Sequence, residues 1–199
     1  AAVREVPEEL IAAGFSIRND FVTRDEEALL LREIDSRPWD KTLSRRTQHY
    51  GWRFDYRTKS CVPAEAPIPA AFGAVLKRPL PEIPWQGLGR AQCTVNEYEP
   101  GQGIAPHVDT HGAFDDGIVA LSLGSGTALR VKPFPAGPND ATHCLWLERR
   151  SLVTYVGAAR YAFTHGIVSR KGDLVDGIWR RRERRTASHA APRRRRRRL

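Results

Sequence analysis

The chain contains no methionine at any of its 199 positions, the first included. It therefore reads as a fragment or an excised domain, with flanking domains expected beyond it. No apolar run approaches the roughly 18 residues that a membrane-spanning helix needs. The start, AAVREVPEEL, lacks both the basic and the apolar stretch of a secretory signal. No membrane partner is expected, and the location expected is intracellular, cytoplasmic or nuclear. Cysteine is scarce: Cys61, Cys93 and Cys144 are odd in number, far apart and form no C-x-x-C pair. That argues against a disulfide framework or a cysteine zinc site, and for reduced, partly buried thiols. No internal repeat is visible.

Most of the chain also lacks net charge, although the total is +9. Eleven of the 32 basic residues but only one of the 23 acidic ones, Glu183, follow Trp179. The remainder holds 21 basic against 22 acidic residues. The basic end, closing in RRRRRRL, reads as a solvated, disordered tail over 191–199. It can add sequence-blind phosphate affinity or serve as a nuclear-localisation patch, and says nothing about the body. At 41% hydrophobic and 28% charged residues, the body suits one globular domain with a real core.

Gly14 to Thr23 reads as a short strand and a turn. Thr23 and Glu26 form a capping box. The helix they open carries Leu29, Leu30, Ile34 and Leu31 as its apolar stripe and stops at Pro38. The segment from Gln48 to Tyr56 is aromatic and extended, an arm of a hairpin. A proline-rich connector over 63–70 leads to a short helix around Ala71 to Leu76, and the loop PLPEIPWQG leads to the main sheet. Short strands then follow at Thr94–Glu99, Ile104–Val108, Ile118–Leu123, Ala128–Lys132, Cys144–Leu147, Leu152–Val156 and Ile167–Ser169. Their regular spacing predicts a sandwich or barrel, and with the helical N-terminal third the class is α+β.

Within GQGIAPHVDTHGAF stands His107-Val108-Asp109. In a strand, residues i and i+2 project from one face, so both can reach one ion. A third ligand must come from another strand, and His165 in Phe163-Thr164-His165-Gly166-Ile167 is placed to supply it. Two histidines and a carboxylate make the facial triad of non-haem Fe(II) oxygenases, leaving three positions open for a bidentate co-substrate and dioxygen. A structural zinc site would close its fourth position.

Several further stretches extend the pattern. They are Asn96-Glu97-Tyr98, Pro100-Gly101-x-Gly103-Ile104, Phe114 and Leu121-Ser122-Leu123-Gly124-Ser125. Later come Arg149-Arg150-Ser151-Leu152, Gly157, Arg160-Tyr161 and Thr164-His165-Gly166-Ile167. In order and spacing these resemble the AlkB family of Fe(II)/2-oxoglutarate dioxygenases, strongly over about 91–186. HYGWRFDY and NEYEPGQGIAPHVDTHGAFDDGIVALSLGS resemble its tRNA wobble-uridine hydroxylase branch. There the oxygenase domain sits between an RNA-recognition domain and a methyltransferase.

The resemblance implies a double-stranded β-helix (jelly-roll) core over 91–190. Residues 1–90 would add helices and an aromatic hairpin arm acting as a nucleotide-recognition lid. It implies an enzyme in which His107, Asp109 and His165 bind Fe(II), with 2-oxoglutarate and O2 as co-substrates. Asn96 and Tyr98 would touch 2-oxoglutarate, and Arg185 would grip its distal carboxylate through a paired, charge-assisted contact. The expected substrate is nucleic acid, with tRNA the leading class and N-methylated DNA or RNA bases the alternative.

One departure stands out. The family places a second arginine six positions after the first, where this chain has Ala191, and TASHAAP makes a poor strand. Either the last strand is altered or Arg193 substitutes, and an iron-binding module without turnover is the reading from another class. The aromatics Tyr50, Trp52, Phe54 and Tyr56, with His49, either stack on a base or form the apolar face of a packed hairpin. His111 reads as a surface group or one behind the ligands. His143 and His189 lie in polar, loop-like stretches.

Overall fold

The computed structural model describes residues 1–55, 57–58, 60–81, 83, 91–112 and 115–192; the side chains of 185, 187 and 189–192 are outside that description. Four helices are described: α1 (Glu8–Ala13), α2 (Arg24–Asp35), α3 (Ala70–Leu76) and α4 (Ala158–Tyr161). With strands numbered in chain order, one sheet runs β1 (Phe15–Arg18), β9 (Leu152–Tyr155), β6 (Ile118–Leu123), β13 (Arg185–Pro192), β4 (Ala91–Tyr98), β2 (Arg46–Asp55), β3 (Ser60–Pro63). A smaller sheet runs β5 (Ile104–His107), β10 (Phe163–Ile167), β7 (Thr127–Pro133), β8 (His143–Leu147). The hairpin β11 (Gly172–Val175) and β12 (Ile178–Arg181) stands apart.

Alternation along the strands builds two cores. Ile118 and Ala120 of β6, with Tyr98, Val153 and Tyr155, meet Leu129, Val131, Leu145 and Ile167 of the smaller sheet. The intervening Val119, Leu121 and Leu123 face the other way, onto Leu30 and Ile34 of α2 and Phe72 and Val75 of α3. The period of two therefore makes the large sheet the middle layer between helices and small sheet. No helix is long and apolar enough to cross a membrane among the described residues. Cys61, Cys93 and Cys144 are free thiols, and burial pushes Cys93 up to about 11.

The capping box forms as expected: Glu26 N–H donates to Thr23 Oγ1 (3.2 Å) and Thr23 N–H to Glu26 Oε2 (2.8 Å). The stripe differs. Leu29 is exposed, and the buried face is Glu27, Leu30 and Ile34. Glu27 can be buried because Arg149 Nε donates to both its oxygens (2.8 and 2.7 Å) and Gly124 N–H to one (2.8 Å).

Two strand readings change as well. TASHAAP belongs to an eight-residue strand, Arg185–Pro192, laid between β4 and β6 with Ala187 opposite both Asn96 and Ser122. Partners on both edges supply what weak intrinsic propensity does not. The strand read at Ile167–Ser169 instead occupies Phe163–Ile167. Gly166 obscures it in sequence, yet glycine is required there. A Cβ would lie 2.9 Å from Pro106 N and 3.0 Å from Ile104 O, so only glycine lets β5 approach β10 this closely.

Candidate metal centre

That close approach sets the site. β10 pairs with β5 so that His165 stands opposite His107. The ring centroids are 4.4 Å apart at 54°. Asp109 lies two residues past the end of β5, in irregular chain rather than in the strand. It still meets both rings: Oδ1 is 3.6 Å from His107 Nε2 and Oδ2 is 3.7 Å from His165 Nε2. One ligand atom from each of the three lies within 4.8 Å of the others, and no fourth candidate ligand joins them among the described residues.

Each group is prepared for a metal. The His107 Nδ1–H donates to the Ala105 carbonyl (2.9 Å), which leaves the Nε2 lone pair facing Asp109. Burial opposes a charge on His107, but the Asp109 carboxylate and the Ala105 carbonyl outweigh it and raise its pKa. Burial lowers His165 to about 4, so it is neutral at pH 7, as a ligand must be. Tyr155 stacks on His165 at 5.2 Å and 23°. Asp109 is held from behind: buried Arg160 donates to its carbonyl (2.8 Å) and to that of Thr110 (3.2 Å). His165 is buried while His107 and Asp109 are about one-third exposed, so one side of the centre opens outward. Two imidazoles and one carboxylate without a fourth protein ligand fit Fe(II) better than a closed zinc site.

Asn96 and Tyr98 are buried at 7% and 5%, and Tyr98 lies in the core between the sheets. Arg185 opens β13 opposite Tyr98; its side chain lies outside the described residues, as do Arg193, Tyr56 and Phe114. Ala191 pairs with Gln92 inside the sheet. Sequence reasoning missed Arg45, whose Nε donates to Asn96 Oδ1 (2.8 Å). It sits in a polar run, LSRR, and no periodicity marks it. Arg160 stood in the motif without a role; a buried arginine has no sequence signature of its own.

The aromatic arm divides. Tyr50 is core, against Phe72, and Phe54 packs on the inter-sheet cluster, while Trp52 is half-buried. His49 lies between Thr94 (3.1 Å) and Thr47 (3.4 Å), and burial lowers its pKa. His111 packs edge-on against Tyr161, and His143 Nε2 is 3.1 Å from Glu9.

This sandwich with its two-histidine, one-carboxylate centre defines a mononuclear non-haem iron oxygenase. The family description "2OG-Fe(II) oxygenase superfamily" matches residues 14–198. The chain belongs to that superfamily and, within it, to the AlkB family. It is 37% identical over 183 residues to the tRNA (carboxymethyluridine(34)-5-O)-methyltransferase alkbh8 of Xenopus tropicalis, covering 87% of this chain and 28% of that protein. It is 36% identical over 203 residues to the Alkylated DNA repair protein ALKBH8 homolog of Arabidopsis thaliana, covering 92% of this chain and 59% of that protein. The solved structure of OsALKBH1 matches with a TM-score of 0.69 at 16% identity, over 90% of this chain and 97% of that one. The chain thus spans only part of the length of these curated relatives. It is an Fe(II)- and 2-oxoglutarate-dependent oxygenase.

Proposed function

We propose that this domain hydroxylates a modified wobble uridine of tRNA. Support comes from the open His107–Asp109–His165 centre in a chain similar to a protein named for tRNA carboxymethyluridine 34. The oxygenase fold accounts for a hydroxylation rather than for the methyl transfer in that name. The fold is read as a jelly-roll core over 91–190, with 1–90 an extension that serves as a lid over the nucleotide; Ala191 and Pro192, expected in the tail, instead continue β13 in the sheet.

When bound, Fe(II) would couple dioxygen reduction to decarboxylation of 2-oxoglutarate to succinate and carbon dioxide, which supplies the oxygen and the oxidising power to replace a C–H bond by C–OH. The chain's own groups position and shield. Ala105 O fixes the His107 tautomer, burial keeps His165 unprotonated, and Arg160 fixes the backbone that carries Asp109. Asn96 and Tyr98 take the co-substrate on the inner face of β4. Arg185 holds its distal carboxylate, and Arg45 turns from Asn96 to its charge.

Anaerobic addition of Fe(II) and 2-oxoglutarate should give a visible metal-to-ligand charge-transfer band. Oxygen should then discharge it with release of succinate, and tRNA should gain one oxygen at the wobble uridine. Formaldehyde release from a methylated oligonucleotide, without that gain, would establish the demethylase reading. Absence of the band, with RNA binding intact in His107→Ala, would establish a binding module without turnover.

A further inference from the structure

The arginine run after Trp179 resolves into two kinds of residue. Arg182 is 6% exposed and serves the fold: its Nε and an Nη reach Asp173 (2.6 and 2.9 Å) and another Nη reaches Val168 O (2.8 Å). Arg184 is paired with Asp35 (3.3 Å) and approaches Glu97 (3.7 Å). Arg180 and Arg181 on β12 are exposed and have no acidic partner among the described residues.

Between Ile178 and these arginines stands Trp179, 64% exposed. It is held in place: a Cβ on Gly172 would fall 2.4 Å from its Cζ2, so the ring lies down on the Gly172 backbone. Directly paired residues share a face, and the pairs Gly172–Arg181 and Leu174–Trp179 put Trp179, Leu174 and Arg181 together on the outer one. Arg180, paired with Asp173, takes the other face but is exposed, and exposed Lys171 stands at the base. The hairpin's own acids are already engaged: Asp173 by Arg182 and Arg170, Asp176 by Arg4. The hairpin therefore presents a fixed aromatic ring with Arg181 beside it on one face, and the exposed cations Arg180 and Lys171 elsewhere on its surface.

We infer that the β11–β12 hairpin is a contact for the RNA strand, with Trp179 stacking on a base and Arg180, Arg181 and Lys171 meeting phosphates. A flat ring with unpaired cations around it suits a stacked, charged strand. The chain from His165 to Gly172 spans at most about 25 Å even if extended. One RNA can thus reach both the iron centre and the hairpin. The inference rests on the nucleic-acid reading proposed above.

The test uses the whole chain and a labelled RNA stem-loop with uridine at its wobble position, titrated across salt concentrations. Trp179→Ala should weaken binding by at least about five-fold, with Trp179→Tyr retaining most of it. Arg180→Ala/Arg181→Ala should lower the log–log salt slope by about 1.4. The anaerobic charge-transfer band should be unchanged in all three, showing that the core is folded. Wild-type binding with unaltered affinity and slope in the variants would overturn the inference while leaving the proposed function standing. A wild-type chain that forms the band but binds no RNA would remove both. Self-association that is lost in Trp179→Ala, with RNA affinity untouched, would assign the face to a second copy and also overturn it.

Discussion

The Nδ1–H of His107 points at a carbonyl, which can only accept, so in the neutral ring the other nitrogen carries the lone pair toward Asp109. The clustering of His107, Asp109 and His165 was legible from the motifs that carry them, although Asp109 lies past the end of the strand whose period of two suggested it. Arg160 was not, since its role depends on a guanidinium folding back across 51 residues to a backbone oxygen. It acts through Asp109 and is a positioning residue. Arg160→Ala should weaken Fe(II) or Mn(II) affinity about 10- to 100-fold, the usual loss when support behind a ligand is removed. Arg160→Lys should recover only part, because an ammonium cannot fork across two carbonyls as a guanidinium does. Unchanged metal affinity by isothermal titration in Arg160→Ala would remove that role.

At the scale of elements, α2 shows what pattern reading sees and what it does not. The T-x-x-E box is a local arrangement and was fully legible. Glu27 was invisible, because a charged residue on an apolar face looks like a solvated one until its distant partner is known. Arg149 lies 122 residues away, and the pair clamps α2 against the turn after β6. Removing the carboxylate strands the Gly124 N–H and the guanidinium, but Arg149 is half exposed, so water recovers part of the loss. Glu27→Ala should therefore cost about 3 kcal/mol in urea unfolding, the low end for a buried pair. Thr23→Ala should cost about 1 kcal/mol. Equal losses would mean that the clamp adds nothing beyond the cap. β13 failed to register in sequence for the complementary reason: small residues such as Ala187 and Ser188 gain their order from β4 and β6, not from themselves.

For the molecule as a whole, the sequence pattern carried the α+β class and the run of short strands. The layer order became visible only once β6 was seen to divide its residues between two cores. The charge balance changed meaning in the same way: Arg182 proved to be an interior group that ties β12 to the base of β11 through Asp173. Burial works against the ionised Asp173, but hydrogen bonds and charge from Arg182 and then Arg170 prevail and lower its pKa from 3.8. A carboxyl whose folded pKa lies below its unfolded one binds fewer protons folded than unfolded within that interval. Its stabilisation is complete above the unfolded value, near 3.9, and is lost as pH falls through the lower folded value. Asp173→Asn leaves Arg182 buried with a neutral partner, so at pH 7 it should lose about 3–5 kcal/mol in urea unfolding. The gap to wild type should hold down to about pH 4 and then narrow, because the wild-type carboxyl takes up its proton first in the unfolded chain and, at lower pH, in the folded one. A gap of constant size through pH 2 would mean that Asp173 contributes by shape alone and that the Arg182 pair carries no electrostatic share of the fold.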